Sequence, residues 1–290
     1  MTIRKADRII KTTEVREGAG VTVHRSIGTP ALRNLDPFVM LDHFGSDNPD
    51  EYIAGFPEHP HRGFNTFTYM LDGNMEHRDS MGNTGKLIAG SAQWMKAGSG
   101  VIHSEMPKQI DGLMRGFQLW INLPAAAKMT EPTYQEYVPD DIPVYETDGQ
   151  KVKVLLGQYQ DVVGPIKDPY TDVRYFDVEL KSGFDFDYDM PSELTAFIYL
   201  FEGDVQINGT DIAEHSFVAL GIGNKGEGDK IVVSAASASS RFILVAGRPI
   251  GEPIVQYGPF VMNSQDEVHQ AMADYRDGTL VQKKAELIST

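Results

Sequence analysis

The sequence predicts an all-β protein built from barrels or sandwiches of short antiparallel strands. Apolar and polar residues alternate in several segments; residues 176–180, for example, read Phe-Asp-Val-Glu-Leu. A period of two places one face of a strand in a core. The 28 glycines and 16 prolines are spread along the chain, where they separate such segments with turns. Short strands joined by such turns are typical of a β-sandwich or barrel.

Two more segments show the same pattern. Thr66–Leu71 is a short strand that ends at Asp72-Gly73, and residues 184–188 read Phe-Asp-Phe-Asp-Tyr. We therefore expect a strand in each, with its aromatic or aliphatic side chains in a core.

One short helix is predicted near the C-terminus. Ser264 and Glu267 have the spacing of a capping box, and Gly278 is a typical C-terminal stop. Between them, apolar residues recur at helical spacing: Val268, Ala271, Met272 and Tyr275. We expect this helix to brace a sheet.

The chain is predicted to contain two related halves. Tyr69–Gly73 (Tyr-Met-Leu-Asp-Gly) is similar to Tyr199–Gly203 (Tyr-Leu-Phe-Glu-Gly), and Ile88-Ala89 is repeated in order at Ile212-Ala213. The proline-rich and acidic stretch 132–143 interrupts the strand pattern. The predicted organisation is an N-terminal domain over 1–131, a linker over 132–143 and a C-terminal domain over 144–290.

Composition excludes several classes of function. The formal net charge is −15, which disfavours binding to nucleic acid or to an anionic membrane surface. The chain contains no cysteine, so thiolate catalysis and cysteine-ligated metals are excluded. A charged N-terminus and the lack of a long apolar run predict a soluble, cytoplasmic protein.

Two histidine motifs point to a metal site. His59-Pro60-His61 and His103-Ser104-Glu105 each place two ligand-type side chains at positions i and i+2. On neighbouring strands these side chains would face one space. Three nitrogens and one oxygen suit iron(II), manganese, nickel, cobalt, copper or zinc. The second half has no such histidine cluster, so we expect a metal in the first half only.

The chain resembles the pirin family of the cupin superfamily, and the similar motifs span nearly its whole length. They are Leu35–Phe38, His59–Phe64 (His-Pro-His-Arg-Gly-Phe), Gln93–Glu105, Gln118–Pro124 and Gly258–Asn263.

The resemblance implies a bicupin, in which two antiparallel jelly-roll β-barrels pack face to face. By the same resemblance, His59, His61, His103 and Glu105 match the family's four metal ligands, and one divalent metal per chain, usually iron(II), is expected. Asn65 stands where the family commonly has glutamate, which would change the charge near the metal.

The resemblance also implies a quercetin 2,3-dioxygenase-like activity on a small aromatic, flavonol-like substrate with dioxygen. In that reaction we expect Glu105 to act as the catalytic base, because it lies at the metal. Phe44, Phe56, Met95 and Trp120 are candidate lining for the substrate pocket.

Two alternatives remain open at this stage. The protein could be a non-catalytic, metal-binding regulator that acts through protein partners, as the resemblance to eukaryotic co-regulators implies. The metal could also be purely structural. We expect a monomer under each of these hypotheses, because the duplication itself supplies an interface between barrels.

Overall fold

A computed structural model of the protein describes residues 2–221 and 228–282, and it confirms the all-β prediction. These residues form 26 strands, two α-helices and two 3₁₀ helices. Up to residue 137, the strands are β1 (Ala6–Lys11), β2 (Thr13–Glu17), β3 (Val21–Ile27), β4 (Phe38–Ser46), β5 (Phe56–His61), β6 (Phe64–Asp72), β7 (Asn74–Asp79), β8 (Thr84–Ile88), β9 (Ala92–Lys96), β10 (Val101–Pro107), β11 (Met114–Asn122) and β12 (Thr133–Tyr137).

The remaining strands are β13 (Val144–Glu146), β14 (Gln150–Leu156), β15 (Gln158–Tyr159), β16 (Val162–Val163), β17 (Arg174–Lys181), β18 (Asp185–Asp189), β19 (Thr195–Glu202), β20 (Val205–Ile207), β21 (Thr210–Ile212), β22 (Ser216–Leu220), β23 (Lys230–Ala235), β24 (Ser239–Gly247), β25 (Val255–Tyr257) and β26 (Phe260–Met262). The α-helices are α1 (Ala125–Lys128) and α2 (Gln265–Arg276), and the 3₁₀ helices span Pro49–Glu51 and Pro139–Asp141. No helix in these two stretches of chain combines the length and apolar character needed to cross a membrane.

The chain divides into two compact units that differ from the predicted ranges at the ends of the chain. We call residues 14–34, 38–139 and 250–282 the N-terminal unit, and residues 2–13, 35–37, 140–221 and 228–249 the C-terminal unit. The first segment therefore belongs with the second half, and the last segment belongs with the first half. The main division, between Pro139 and Asp140, falls inside the predicted linker 132–143, although β12 lies there as well.

Each unit contains one seven-stranded and one four-stranded antiparallel sheet. In the N-terminal unit the orders are β12-β9-β6-β11-β4-β3-β2 and β5-β10-β7-β8. Buried side chains from both sheets form a shared core, which includes Phe44 and Met70 from the larger sheet and Met75 and Leu87 from the smaller one.

The C-terminal unit repeats this strand order and confirms the predicted duplication. Its sheets run β1-β22-β19-β24-β17-β14-β13 and β18-β23-β20-β21. The repeated sequence motifs fall on equivalent strands, because Tyr69–Gly73 ends β6 and Tyr199–Gly203 ends β19. In each unit a distant segment supplies one edge strand, which is β12 beside β9 and β1 beside β22.

The predicted strands and helix are present with small differences at their ends. Phe186 and Tyr188 are buried on β18, whereas Phe184 lies before the strand and is exposed. Helix α2 has the predicted capping box between Ser264 and Glu267. Val268 and Ala271 are buried, but Met272 and Tyr275 are each more than a third exposed, so the buried face is narrower than predicted.

Two buried cations attach the segment 250–282 to the rest of the N-terminal unit. Lys128 Nζ donates to the carbonyl oxygens of Gly63 and Val261 and to Oδ1 of Asn122, at 2.8, 2.9 and 2.5 Å. Arg62 forms a 2.7 Å ion pair with Asp274 on α2. These contacts hold the loop after β5 against the chain that follows β25.

Replacing Lys128 with methionine should lower the free energy of unfolding by about 2–4 kcal/mol, because three buried acceptors lose a charged donor. Urea unfolding followed by circular dichroism measures this. Lys108→Met is the matched control, since Lys108 is exposed and pairs only at the surface with Glu76. Equal stability of Lys128→Met and wild type would contradict the role of this lysine.

The stability contributed by Lys128 should also depend on pH. Burial lowers the pKa of Lys128 to about 8, whereas an unfolded lysine titrates near ~10.4. Between these values the unfolded chain binds more protons, so the free energy of unfolding due to Lys128 rises with pH. The stability difference between wild type and Lys128→Met should therefore grow between pH 8 and about 10. If the stability difference between wild type and Lys128→Met stays constant or shrinks over this pH range, the pKa of Lys128 is not lowered in the folded protein.

Candidate metal centre

The smaller sheet of the N-terminal unit brings the three predicted histidines together. β5 and β10 pair antiparallel, with His59 opposite His103 and His61 opposite Val101. The ring centroids of His59, His61 and His103 lie 4.3–4.8 Å apart. One nitrogen from each ring lies within 4.8 Å of the others. His61 and His103 are buried, and His59 is half-buried.

The free nitrogens of these rings fit a metal ion. His59 Nδ1 donates to the carbonyl of Pro57 at 2.8 Å, which leaves the lone pair on Nε2. His61 Nδ1 and His103 Nε2 are buried and have no hydrogen-bond partner among residues 2–221 and 228–282. A buried polar atom without a partner is costly, and a metal is one group that satisfies a nitrogen lone pair.

Local electrostatics keep the two buried rings neutral. Burial lowers the pKa of His61 well below its usual value, and the neighbouring His59 lowers it further. Burial and then the nearby His61, His59 and His77 lower the pKa of His103 in the same way. Neutral imidazole is the form that binds metals. The site is therefore ready to bind a cation at neutral pH.

Glu105, the fourth predicted ligand, is buried on β10 and faces the same cavity as His59 and His61. Its carboxylate lies within 4.8 Å of ring nitrogens of His103 and His77, rather than in the cluster with His59 and His61. Oε1 accepts hydrogen bonds from Thr68 at 3.2 Å and from Gln93, and Oε2 accepts one from Gln118 at 3.0 Å. The carboxylate is thus held in place beside the histidines.

The cavity beside the site has a volume of about 890 Å³ and lies within the N-terminal unit. Three of the four predicted lining residues, Phe44, Phe56 and Trp120, do line it. Met95 does not, because it packs in a separate cluster with Ala97 and Val101. The Trp120 ring lies edge-on to His61, with centroids 5.1 Å apart.

Asn65 does not lie beside the predicted metal position. Side chains alternate along β6, and Thr68 on one face donates to Glu105. Asn65 lies three residues earlier and therefore faces the other side of the strand. The expected change of charge next to the metal is not supported by this placement.

Sequence reasoning missed the residues that surround the predicted ligands. Thr68, Gln93 and Gln118 hold Glu105, and His77 and Asp79 lie behind His103. The His77-x-Asp79 spacing was a usable signal, because it is a third pair of ligand-type residues at i and i+2. The glutamines lie in the motifs Gln93–Glu105 and Gln118–Pro124, but their partners come from different strands.

The C-terminal unit has apolar residues at the corresponding positions. β10 pairs His103 with His59 and Glu105 with His77, whereas β23 pairs Ile231 with Tyr188 and Val233 with Ile207. These four C-terminal residues belong to one buried core cluster. At these positions the C-terminal unit therefore has a filled hydrophobic core in place of ligand-type side chains.

Each unit is a pair of antiparallel sheets, and the N-terminal unit carries a histidine cluster on its smaller sheet. This architecture defines the chain as a cupin. Residues 20–121 match the family model for pirin, and residues 175–281 match the model for the pirin C-terminal cupin domain. The chain therefore belongs to the pirin family, as the sequence motifs predict.

Curated relatives cover almost the full chain. A Pseudomonas aeruginosa protein, provisionally named a quercetin 2,3-dioxygenase, is 46% identical over 272 residues, covering 91% of this chain and 93% of its own length. Human pirin is 41% identical over 276 residues, which cover 94% of this chain and 93% of that protein.

Solved structures agree with the fold. Quercetin 2,3-dioxygenase from Acinetobacter baumannii superposes with a TM-score of 0.87 at 30% identity and covers 96% of this chain and 98% of its own. The Escherichia coli pirin YhhW, solved in complex with nickel(II), has a TM-score of 0.64 at 22% identity, with 85% and 97% coverage. At that identity YhhW supports the fold alone.

Purified protein should contain close to one transition-metal ion per chain by elemental analysis. The double variant His59→Ala with His103→Ala should contain none, because two of three converging nitrogens are lost. His269→Ala is the matched control, since His269 is exposed on α2. Full metal content in the double variant would place the ion elsewhere.

Proposed function

We propose that this protein is a metal-dependent dioxygenase that opens a flavonol-like aromatic substrate such as quercetin. The observation that carries the proposal is a cluster of three histidines, two of them buried, with a buried carboxylate next to it, beside a cavity with aromatic walls. The names of the Pseudomonas aeruginosa and Acinetobacter baumannii proteins support the same activity class.

His59, His61, His103 and Glu105 would hold one divalent metal, for which we propose iron(II). Imidazole nitrogens suit iron, nickel, copper and zinc, and a carboxylate also suits manganese. The bound metal would supply Lewis acidity that lowers the pKa of a substrate hydroxyl, together with a site for dioxygen.

Glu105 is the residue that we propose as the base for the substrate 3-hydroxyl. Its Oε2 accepts from Gln118, whose own Oε1 accepts from the Trp120 indole at 3.3 Å. This fixes which end of the Gln118 amide faces the carboxylate. Because Glu105 lines the cavity while its neighbours hold it still, it can take a proton without a large rearrangement.

The aromatic side chains would orient the substrate. Trp120, Phe44 and Phe56 provide apolar surface beside the histidines, and Arg25 and Asp42 add a polar wall in which they pair at 2.6 and 2.7 Å. Apolar aromatic walls combined with fixed polar groups suit a planar, hydroxylated ring system.

Aerobic incubation of iron-loaded protein with quercetin should bleach the flavonol absorbance and release carbon monoxide. Glu105→Gln should lower the rate at least ~100-fold, because the general base is removed while the side-chain volume is kept. His61→Ala should abolish turnover through loss of the metal. His269→Ala should react at the wild-type rate.

Metal-replete protein that leaves quercetin unchanged would exclude this activity. That result would favour the alternative of a regulatory metal protein acting through protein partners. The cytoplasmic location, the monomeric state and a protein partner remain predictions. Gel filtration with light scattering tests the oligomeric state directly.

A further inference from the structure

A buried polar chain extends from His103 away from His59 and His61. His103 Nδ1 lies 3.4 Å from Nδ1 of His77, and His77 Nε2 lies 3.2 Å from Oδ2 of Asp79. The side chains of His77 and Asp79 are completely buried. The other ring nitrogen of His103, Nε2, takes no part in this chain and has no hydrogen-bond partner among the described residues.

In this chain, the partner of each histidine indicates which ring nitrogen carries the proton. Asp79 Oδ1 accepts from the backbone N–H groups of Met81 and Asn83, and Oδ2 accepts from the Asn83 amide and faces His77. A carboxylate can only accept, so His77 carries its proton on Nε2. In the neutral His77 ring, Nδ1 is then the acceptor, and it faces Nδ1 of His103 at 3.4 Å.

The His77 ring is also held in its plane. It stacks on Tyr134 with centroids 4.3 Å apart and an interplanar angle of 15°. Tyr134 lies on β12, and its hydroxyl lies 3.3 Å from Oε1 of Gln93, the amide that donates to Glu105. One edge strand therefore supports both ligand residues of β10.

We propose that Asp79 and His77 are positioning residues that fix His103 as the Nδ1–H tautomer, so that its Nε2 lone pair faces the metal position. This inference deepens the proposed function, because it rests on His103 as a ligand. The C-terminal unit supports it, since Ile207 replaces His77 where Ile231 replaces His103. Partners of this kind orient metal-binding histidines in many proteins.

The tautomer can be measured without metal or substrate. Long-range ¹H–¹⁵N correlation spectra of the ¹⁵N-histidine-labelled, metal-free protein at pH 7.5 should show His103 protonated on Nδ1. The His103→Gln variant assigns the signal. Asp79→Asn should move the proton to Nε2, because the two backbone donors keep the amide oxygen and turn its NH₂ towards His77. A wild-type His103 protonated on Nε2 would overturn the proposal.

Affinity for cobalt(II), measured by competition with a chelator, is the second readout. Asp79→Asn and His77→Phe should each weaken binding about 10–100-fold. His77→Gln should stay within a few-fold of wild type, because its amide can both donate to residue 79 and accept from His103. Equal losses in His77→Phe and His77→Gln would overturn the proposal, as would wild-type affinity in His77→Phe.

Controls separate this idea from the proposed function. Asp185→Asn changes an exposed aspartate on β18 and should bind cobalt(II) normally. Thermal unfolding of each metal-free variant shows whether the fold is retained. If wild type and Asp185→Asn both fail to bind cobalt(II), the proposed metal site is contradicted. The NMR measurement of the His103 tautomer in wild type still tests whether Asp79 and His77 orient that ring.

Discussion

The burial of imidazole nitrogens without hydrogen-bond partners is the constraint on which the rest of the site depends. Within the part of the chain that the structure describes, His61 Nδ1 and His103 Nε2 are both in this state. An unsatisfied buried polar atom costs about 1–3 kcal/mol. Packing of the surrounding sheets therefore has to offset this cost when the two nitrogens have no partner. Binding of a metal at the proposed site would offset that cost, and its free energy would add to the stability of the fold.

The two units share one strand order but have different interiors. In the C-terminal unit, Tyr188, Ile231 and Val233 fill the interior and leave a continuous apolar core. In the N-terminal unit the same ladder positions carry His59, His103 and Glu105 beside a cavity. The strand pairing is common to both units, so the difference between a core and a candidate site lies in a few inward-facing side chains.

Much of this arrangement could be predicted from local sequence, and the remainder depends on long-range contacts. The alternating strands, the Ser264 cap and the i, i+2 histidine motifs are each encoded within a few residues, and the structure agrees with them. The narrower face of α2, the position of Met95 and the side on which Asn65 lies depend on sheet packing. β12 was predicted as linker, because Pro132 and Pro139 flank it and its pairing partner β9 is distant in sequence.

The exchange of terminal segments has a consequence for how the protein can be made. The segment 250–282 is synthesised after the C-terminal unit, yet it belongs to the unit that carries the histidines. On the ribosome, that unit would remain incomplete until the C-terminal unit had been translated, so this topology does not allow the N-terminal unit to be completed first. A gene cut at the linker would likewise yield two fragments, each lacking a piece held by the other, and β22 would be left as an open edge prone to association.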